Sequence, residues 1–322
     1  MARWMIVCVL MGLGMVGGCA HTPAVTATND AAMLPGSPAA RRVMVFDGRT
    51  GDSVAWESLV EAASGAEVVF IGENHGHPLG LAAADALWED AIARSPKAAL
   101  AMEFFERDQQ AAIDDYLSGV VDEATFRKLA SHTSEGTYPP GHRAMVEAAR
   151  AKGRPVIAAN SPRRYVRAAR ESGFERLSSL GAEQKRLFRV PDSLPGPETK
   201  YRREFDKVMS PTPGHGAATP SAPEDQERTT RLDATFRSQS VWDWTMGESV
   251  VRSVEAGHAP TFLVVGRFHV DFEGGTVRAV GLLRPGTRAV TVSFVDARSD
   301  SLRSEDAGRA DFVVYVGSGA GG

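Results

Sequence analysis

Polar side chains that can do chemistry stand at the ends of several apolar runs in this sequence. Five of them follow four predicted strands: Glu73, His75, Glu103, Asn160 and His269. Carboxylates and imidazoles carry general acid–base catalysis and bind metals. Because ligands bind beyond the carboxyl ends of parallel strands, we expect these side chains to form one crevice. Taken singly, each could instead be a buried polar group with a hydrogen-bond partner, or a helix cap such as Asn74.

The apolar runs alternate with segments of helical spacing. Short runs rich in Val, Ile and Ala predict strands over residues 43–46, 66–71, 98–105, 155–159, 259–265, 289–295 and 312–315. Amphipathic spacing predicts helices over residues 56–63, 79–94, 108–117, 122–129, 143–152 and 230–255. This alternation predicts an α/β fold with a largely parallel sheet.

One long interval breaks the alternation. Residues 166–245 contain many charged side chains and no clear strand, and residues 210–223 are rich in Pro, Ala, Gly and Ser. We interpret the interval as a helical insertion that carries a mobile loop.

The N-terminus predicts a bacterial lipoprotein. Arg3 precedes an apolar run over 4–16, which is too short to span a bilayer, and small residues lead to Cys19. An ordinary secretory signal with a chance cysteine is the alternative. We expect a signal peptide over 1–18, acylation of Cys19, and a location in the cell envelope, on the outer membrane facing the periplasm. Once Cys8 is removed with the signal, no thiol remains for a disulfide or a metal site.

The rest of the chain divides by composition. We predict a flexible tether over residues 19–41, a globular domain over 42–317 and a short tail over 318–322. The net charge is −4 and no basic block is present, so nothing indicates nucleic acid as a partner.

Several short motifs, taken in order, resemble one known family. They are Gly72–His75, Ala101–Phe105, Tyr138–Pro140, Ala159–Arg163, Gln239–Met246, Val265–Val270 and Ala310–Val313. The chain is similar over about residues 42–317 to the ChaN family of haem-binding lipoproteins, in a superfamily with Tiki proteins, TraB proteins and erythromycin esterases. The resemblance implies a three-layer α/β/α sandwich with a helical insertion, and a homodimer that binds ferric haem in haem or iron uptake. An outer-membrane haem receptor is the implied partner. Because the sequence lacks Cys-x-x-Cys-His, covalent haem attachment is excluded.

The resemblance also implies roles for side chains. It implies a tyrosine on the haem iron, for which Tyr138 in the loop Thr137–Pro140 is our first candidate and Tyr165 the second. Polar side chains would hold the propionates or complete the site, and the candidates are His75, His77, Asn160, Arg163, Arg164, Arg267 and His269. Alanines occupy positions 82–84, where family members often have further histidines, and Arg267-Phe268 precedes His269 in place of the usual Gly-x-His.

Two other classes of function stay open. Glu73, His75, Glu103 and His269 would suit a metal-assisted or general-base hydrolase of esterase or protease type. The spacing Glu73-x-His75 differs from His-Glu-x-x-His, so the metal signal is weak, and no Gly-x-Ser-x-Gly elbow is present. The third class is an envelope module that binds a protein partner through its amphipathic helices.

Overall fold

A computed structural model describes residues 38–210 and 222–317. The predicted signal peptide, Cys19, most of the predicted tether, most of the predicted loop over 210–223, and the tail lie outside the described residues. Those expectations stay predictions.

Eight strands in the described residues form one sheet. In chain order they are β1 Met44–Asp47, β2 Ser53–Val54, β3 Val68–Glu73, β4 Ala99–Glu106, β5 Val156–Asn160, β6 Thr261–Gly266, β7 Ala289–Val295 and β8 Phe312–Tyr315. Their spatial order is β2-β1-β8-β7-β3-β6-β4-β5. The six strands from β8 to β5 pair in parallel, and β1 and β2 extend the sheet in antiparallel fashion. The predicted parallel sheet is therefore confirmed.

Ten helices connect and cover the strands in the described residues. They are α1 Trp56–Gly65, α2 Pro78–Arg94, α3 Gln110–Leu117, α4 Glu123–Leu129, α5 Pro140–Ala151, α6 Arg163–Ser178, α7 Ala182–Lys185, α8 Lys200–Met209, α9 Ala222–Glu255 and α10 Gly275–Leu283. Helices α6 to α9 occupy the interval without strands, as expected of a helical insertion.

The sheet is apolar on both faces because successive side chains of a strand point to opposite sides. In β3, Val69 and Ile71 join a core with helices α1 to α5, whereas Val68 and Phe70 join a second core with α9 and α10. This gives the three layers of an α/β/α sandwich. Within residues 38–210 and 222–317, no helix combines the length and the apolar character needed to cross a membrane.

Candidate functional site

The central strands end in a cavity at their carboxyl ends. It has a volume of about 530 Å³. Its polar and aromatic lining includes His75, Glu103, Phe104, Glu106, His132, Asn160 and Arg163. Of the polar residues predicted at strand ends, His75, Glu103 and Asn160 line the cavity. Glu73 and His269 are buried beside His75 and Glu103, so the five residues form one cluster at the strand ends.

Glu73, the last residue of β3, is a buried anion that contacts the cavity-lining His75. His75 Nδ1 donates to its Oε1 at 2.8 Å, and His142 Nε2 donates to its Oε2 at 2.6 Å. His142 comes from α5 and is fully buried, whereas the side chain of His75 is 54% exposed and faces the cavity. One carboxylate therefore orients two imidazoles.

Glu73 and His75 each stabilise the charged form of the other. Burial alone would raise the pKa of Glu73, but the charge and hydrogen bond of His142, with those of His75, outweigh it and lower the pKa to about 2. The hydrogen bond to Glu73 raises the pKa of His75, although its partial burial opposes this. The lowered pKa favours the charged form of Glu73 near neutral pH.

Glu103 lies between two imidazoles. Its Oε2 accepts a hydrogen bond from the Gly266 backbone N–H at 2.7 Å and lies 3.7 Å from His75 Nε2. Its Oε1 lies 3.6 Å from His269 Nε2. Both imidazole distances exceed a hydrogen bond, so the two rings face Glu103 without being bonded to it.

A second carboxylate, that of Asp243, orients the His269 ring through a hydrogen bond. Asp243, on α9, accepts from His269 Nδ1 at 2.6 Å and from the Thr276 hydroxyl at 2.7 Å. Tyr201 donates to its other oxygen at 2.8 Å. Burial would lower the pKa of His269, but Asp243 and then Glu103 raise it to about 8. Glu73–His75 and Asp243–His269 are therefore two carboxylate–imidazole pairs on either side of Glu103.

Gly266 makes room for this arrangement. A Cβ at this position would lie 2.7 Å from His75 Nε2. Only glycine lets the end of β6 approach the imidazole so closely while its N–H reaches Glu103.

The rim of the cavity is part aromatic and part charged. The Phe104 ring packs edge-on against His142, with centroids 3.9 Å apart, and Arg163 is 86% exposed with its Nε 3.8 Å from Glu106. Burial raises the pKa of Glu106. Asn160 donates from Nδ2 to the Glu103 carbonyl, and its Oδ1 accepts from the Ser161 N–H, so it braces β4 against β5.

Two predicted haem-binding residues lie away from the cavity lining. His77 caps α2 by accepting from the Gly80 N–H at 3.1 Å, and its Nε2 lies 3.6 Å from Asp296. Tyr138 is 2% exposed and packs against Phe105 and Phe126 in the main core. Burial raises the pKa of Tyr138 far above its ordinary value.

The remaining candidates have structural partners. Tyr165 is buried against Phe188, and Arg164 lies over its ring and pairs with Asp108. Arg267 packs against Gly72 and lies 4.0 Å from Asp271. His77, rather than Asn74, provides the cap of α2.

Reasoning from strand ends missed the residues that helices supply. His142, Asp243 and Gln239, whose amide nitrogen lies 3.1 Å from His269 Nδ1, come from helices on the two faces of the sheet. The spacing of Gln239 and Asp243, four residues apart on one helix face, was the signal available for the pair. In the described part of the chain, no group of three or more His, Cys, Asp or Glu side chains is arranged to hold a metal ion.

Fold and site together define a parallel α/β sandwich with a carboxylate–imidazole crevice at its strand ends. The chain belongs to the family described as haem-binding uptake, Tiki superfamily, ChaN, whose model matches residues 59–280, more than half of the chain. A search of curated proteins found no match.

Solved structures with similar folds include one from Campylobacter jejuni described as cofacial heme binding to ChaN. It is 14% identical with a TM-score of 0.62, and the similarity covers 85% of this chain and 96% of that one. At this identity the likeness shows the fold alone. An erythromycin esterase variant in its open conformation is 13% identical with a TM-score of 0.45, covering 84% of this chain and 82% of that one. A likeness of that degree carries no inference about activity.

Proposed function

We propose that this protein binds ferric haem non-covalently in the cavity at the strand ends. The observation that carries the proposal is the cavity itself, which combines two imidazoles, His75 and His132, with the aromatic wall of Phe104. Large, partly apolar cavities with a few placed polar groups are the usual form of cofactor sites. Membership of a haem-binding family supports the choice of ligand.

The side chains present fit the two demands that haem makes. His75 lines the cavity with its Nε2 not hydrogen-bonded to Glu103, and an imidazole nitrogen placed in this way suits iron. The Arg163 guanidinium is exposed at the rim with its Nε 3.8 Å from Glu106, so it can turn to a propionate. When bound, haem would supply a ferric centre, and the chain would orient it between rim and imidazoles.

The sequence supports a proposal about the cellular role. We propose that the chain is a lipoprotein acylated at Cys19, held at the outer membrane facing the periplasm, that serves haem or iron uptake. A homodimer that encloses haem and an outer-membrane haem receptor as partner belong to the same proposal. Retention of radiolabelled palmitate by the wild type and its loss in Cys19→Ala would test the anchor.

A titration of the full chain in mild detergent with ferric haem tests the binding. We expect a saturable shift of the Soret band beyond that of haem in detergent alone, and a weaker affinity for Arg163→Ala. A matched control is Arg186→Ala, which alters an exposed arginine paired within α7 and its cap. A flat titration of the wild type would contradict haem binding.

General-base hydrolysis is the second candidate, because one specific arrangement favours it. Glu73 holds His75 through Nδ1, which leaves Nε2 directed at the cavity beside Glu103. A carboxylate-held imidazole of this kind can take a proton from water, and the buried carboxylate stabilises the imidazolium that forms. Turnover on a panel of esters and peptides, lost in Glu103→Gln, would support hydrolysis. The absence of turnover together with tight haem binding would count against it.

A further inference from the structure

A second cavity, the α9–α10 pocket, lies between α9, α10 and the segment that leads into α8. It has a volume of about 280 Å³, and Tyr201, Trp244 and Leu282 are among its lining residues. None of its lining residues lines the cavity at the strand ends, so the two cavities are separate. Its volume is near the lower end of the range for ligand pockets, which restricts it to a small molecule.

The α9–α10 pocket has a partly exposed apolar lining. Leu282 is 55% exposed, and the other apolar side chains of the lining are Leu194, Pro195, Trp244 and Leu283. Single exposed apolar side chains are common on soluble proteins, but a group of them with polar neighbours marks a place where another molecule binds. Trp244 is itself partly exposed, so an aromatic ring or a short alkyl chain can pack against its indole.

Arg278 supplies the positive charge of the lining. It is exposed, and no carboxylate in the described part of the chain forms an ion pair with it. The two carboxylates of the lining are otherwise engaged: Asp192 is 86% exposed and lies 3.7 Å from Arg189, and Asp243 is buried in the hydrogen bonds described above. A guanidinium without a protein partner, beside an apolar lining, suits the acid group of an amphipathic anion.

Tyr201 and Asp243 close the inner end of the pocket. Asp243 is 1% exposed, and the Tyr201 hydroxyl donates to its Oδ2 at 2.8 Å. Gly275 permits this contact, because a Cβ at that position would overlap both the carboxylate and the hydroxyl. Burial and then Asp243 raise the pKa of Tyr201, and the charge of Arg278 acts in the opposite direction. The guanidinium therefore lies close enough to the inner end to act on a group bound there.

We propose that the α9–α10 pocket is a binding site for a small amphipathic anion, with its acid group on Arg278 and its apolar part against Trp244 and Leu282. Small carboxylic acids that carry an aromatic ring or a short alkyl chain have this chemistry. A neutral molecule of the same shape would leave the guanidinium unpaired. The proposal goes beyond haem binding and does not depend on it, because the two cavities share no lining residue.

Saturation-transfer NMR titrations of the full chain in mild detergent test the site. The probe is phenylbutyrate, and phenylbutanamide has the same shape without the charge. We expect saturable binding of the acid beyond a detergent blank, and about fivefold weaker binding of the amide, the scale of a partly exposed ion pair. Arg278→Gln should weaken binding of the acid to the level of the amide. Leu282→Ser should weaken binding of both molecules, because it removes apolar contact.

Matched substitutions separate this site from general surface binding. Leu129→Ser replaces a leucine of nearly the same exposure, 56% against 55% for Leu282, and Arg167→Gln removes an exposed arginine outside the pocket. Both should leave binding of the acid unchanged, and circular dichroism checks that all four variants fold.

Several results would overturn the proposal. They are absence of binding by the wild type, equal affinity for the acid and the amide, and wild-type affinity in both Arg278→Gln and Leu282→Ser. Binding that is lost in Arg163→Ala and kept in Arg278→Gln would place the probe in the cavity at the strand ends and would also overturn it.

Discussion

Replacing Glu73 by Gln should destabilise the protein strongly near neutral pH and much less in acid. The carboxylate accepts hydrogen bonds from two imidazoles while fully enclosed by protein. Its pKa is about 2 in the folded protein, against 4.5 for an ordinary glutamate. That difference corresponds to roughly 3 kcal/mol of stability at pH 6.

The sign of the pH dependence follows from the lowered pKa. The contribution of Glu73 is fully present above pH 4.5 and is lost as pH falls through the folded value of about 2. At pH 3 it amounts to roughly 1 kcal/mol. Urea unfolding of wild type and Glu73→Gln, followed by circular dichroism at pH 6 and pH 3, measures both values. The difference in free energy of unfolding between the wild type and Glu73→Gln should be smaller at pH 3 than at pH 6.

A neighbouring carboxylate provides the control. Burial raises the pKa of Glu106, so its charged form is disfavoured in the folded protein and Glu106→Gln should be neutral or slightly stabilising at pH 6. Equal losses of unfolding free energy in Glu73→Gln and Glu106→Gln would mean that removing any carboxylate from this crevice has the same effect. A Glu73→Gln loss below about 1 kcal/mol, or one that does not change with pH, would refute the reasoning.

Three further variants test separate parts of the site. Asp243→Asn should lower the pKa of His269 from about 8 to its ordinary value of 6.5 or below, because burial is then less opposed, and NMR titration of the ring measures it. Gly266→Ala should displace the His75 ring, whose Nε2 would lie 2.7 Å from the new Cβ, and so weaken haem binding. As a control, Gly281→Ala places a Cβ with no atom within 4 Å and should leave haem binding unchanged. His77→Ala should cost about 1 kcal/mol in thermal unfolding as a lost helix cap, with haem affinity unchanged; weaker haem binding would return His77 to the site.

The strands were predictable because most are short runs of apolar and β-branched residues. The predicted bounds of β7 and β8 agree with the structure at both ends. Arg288 and Asp296 border β7, and Asp311 precedes β8. β3 runs on through Gly72 to Glu73, two residues beyond its predicted end. Gly72 looks like a strand terminator in the sequence, but it stays in the ladder and allows Arg267 to pack 3.1 Å from where its Cβ would be.

Only the part of the crevice that is formed by strand ends could be predicted from the sequence. Glu73, His75, Glu103, Asn160 and His269 meet as expected, because parallel strands end at one edge of the sheet. The partners that orient them come from helices whose positions depend on packing, which no local pattern encodes. Tyr138 shows the converse: its place in a loop before two prolines indicated a ligand and not a core residue, yet the loop folds its ring into the aromatic core.

The two candidate functions place different demands on the same crevice, and one residue separates them. General-base hydrolysis needs His75 and Glu103 and gives no task to the exposed guanidinium of Arg163. Haem binding uses that guanidinium for a propionate. Arg163→Ala should therefore weaken haem binding and spare any ester hydrolysis, whereas Glu103→Gln should do the reverse. Loss of both properties in either variant would mean that the crevice works as one unit, because its ligand and its proton-transfer groups could not then be separated.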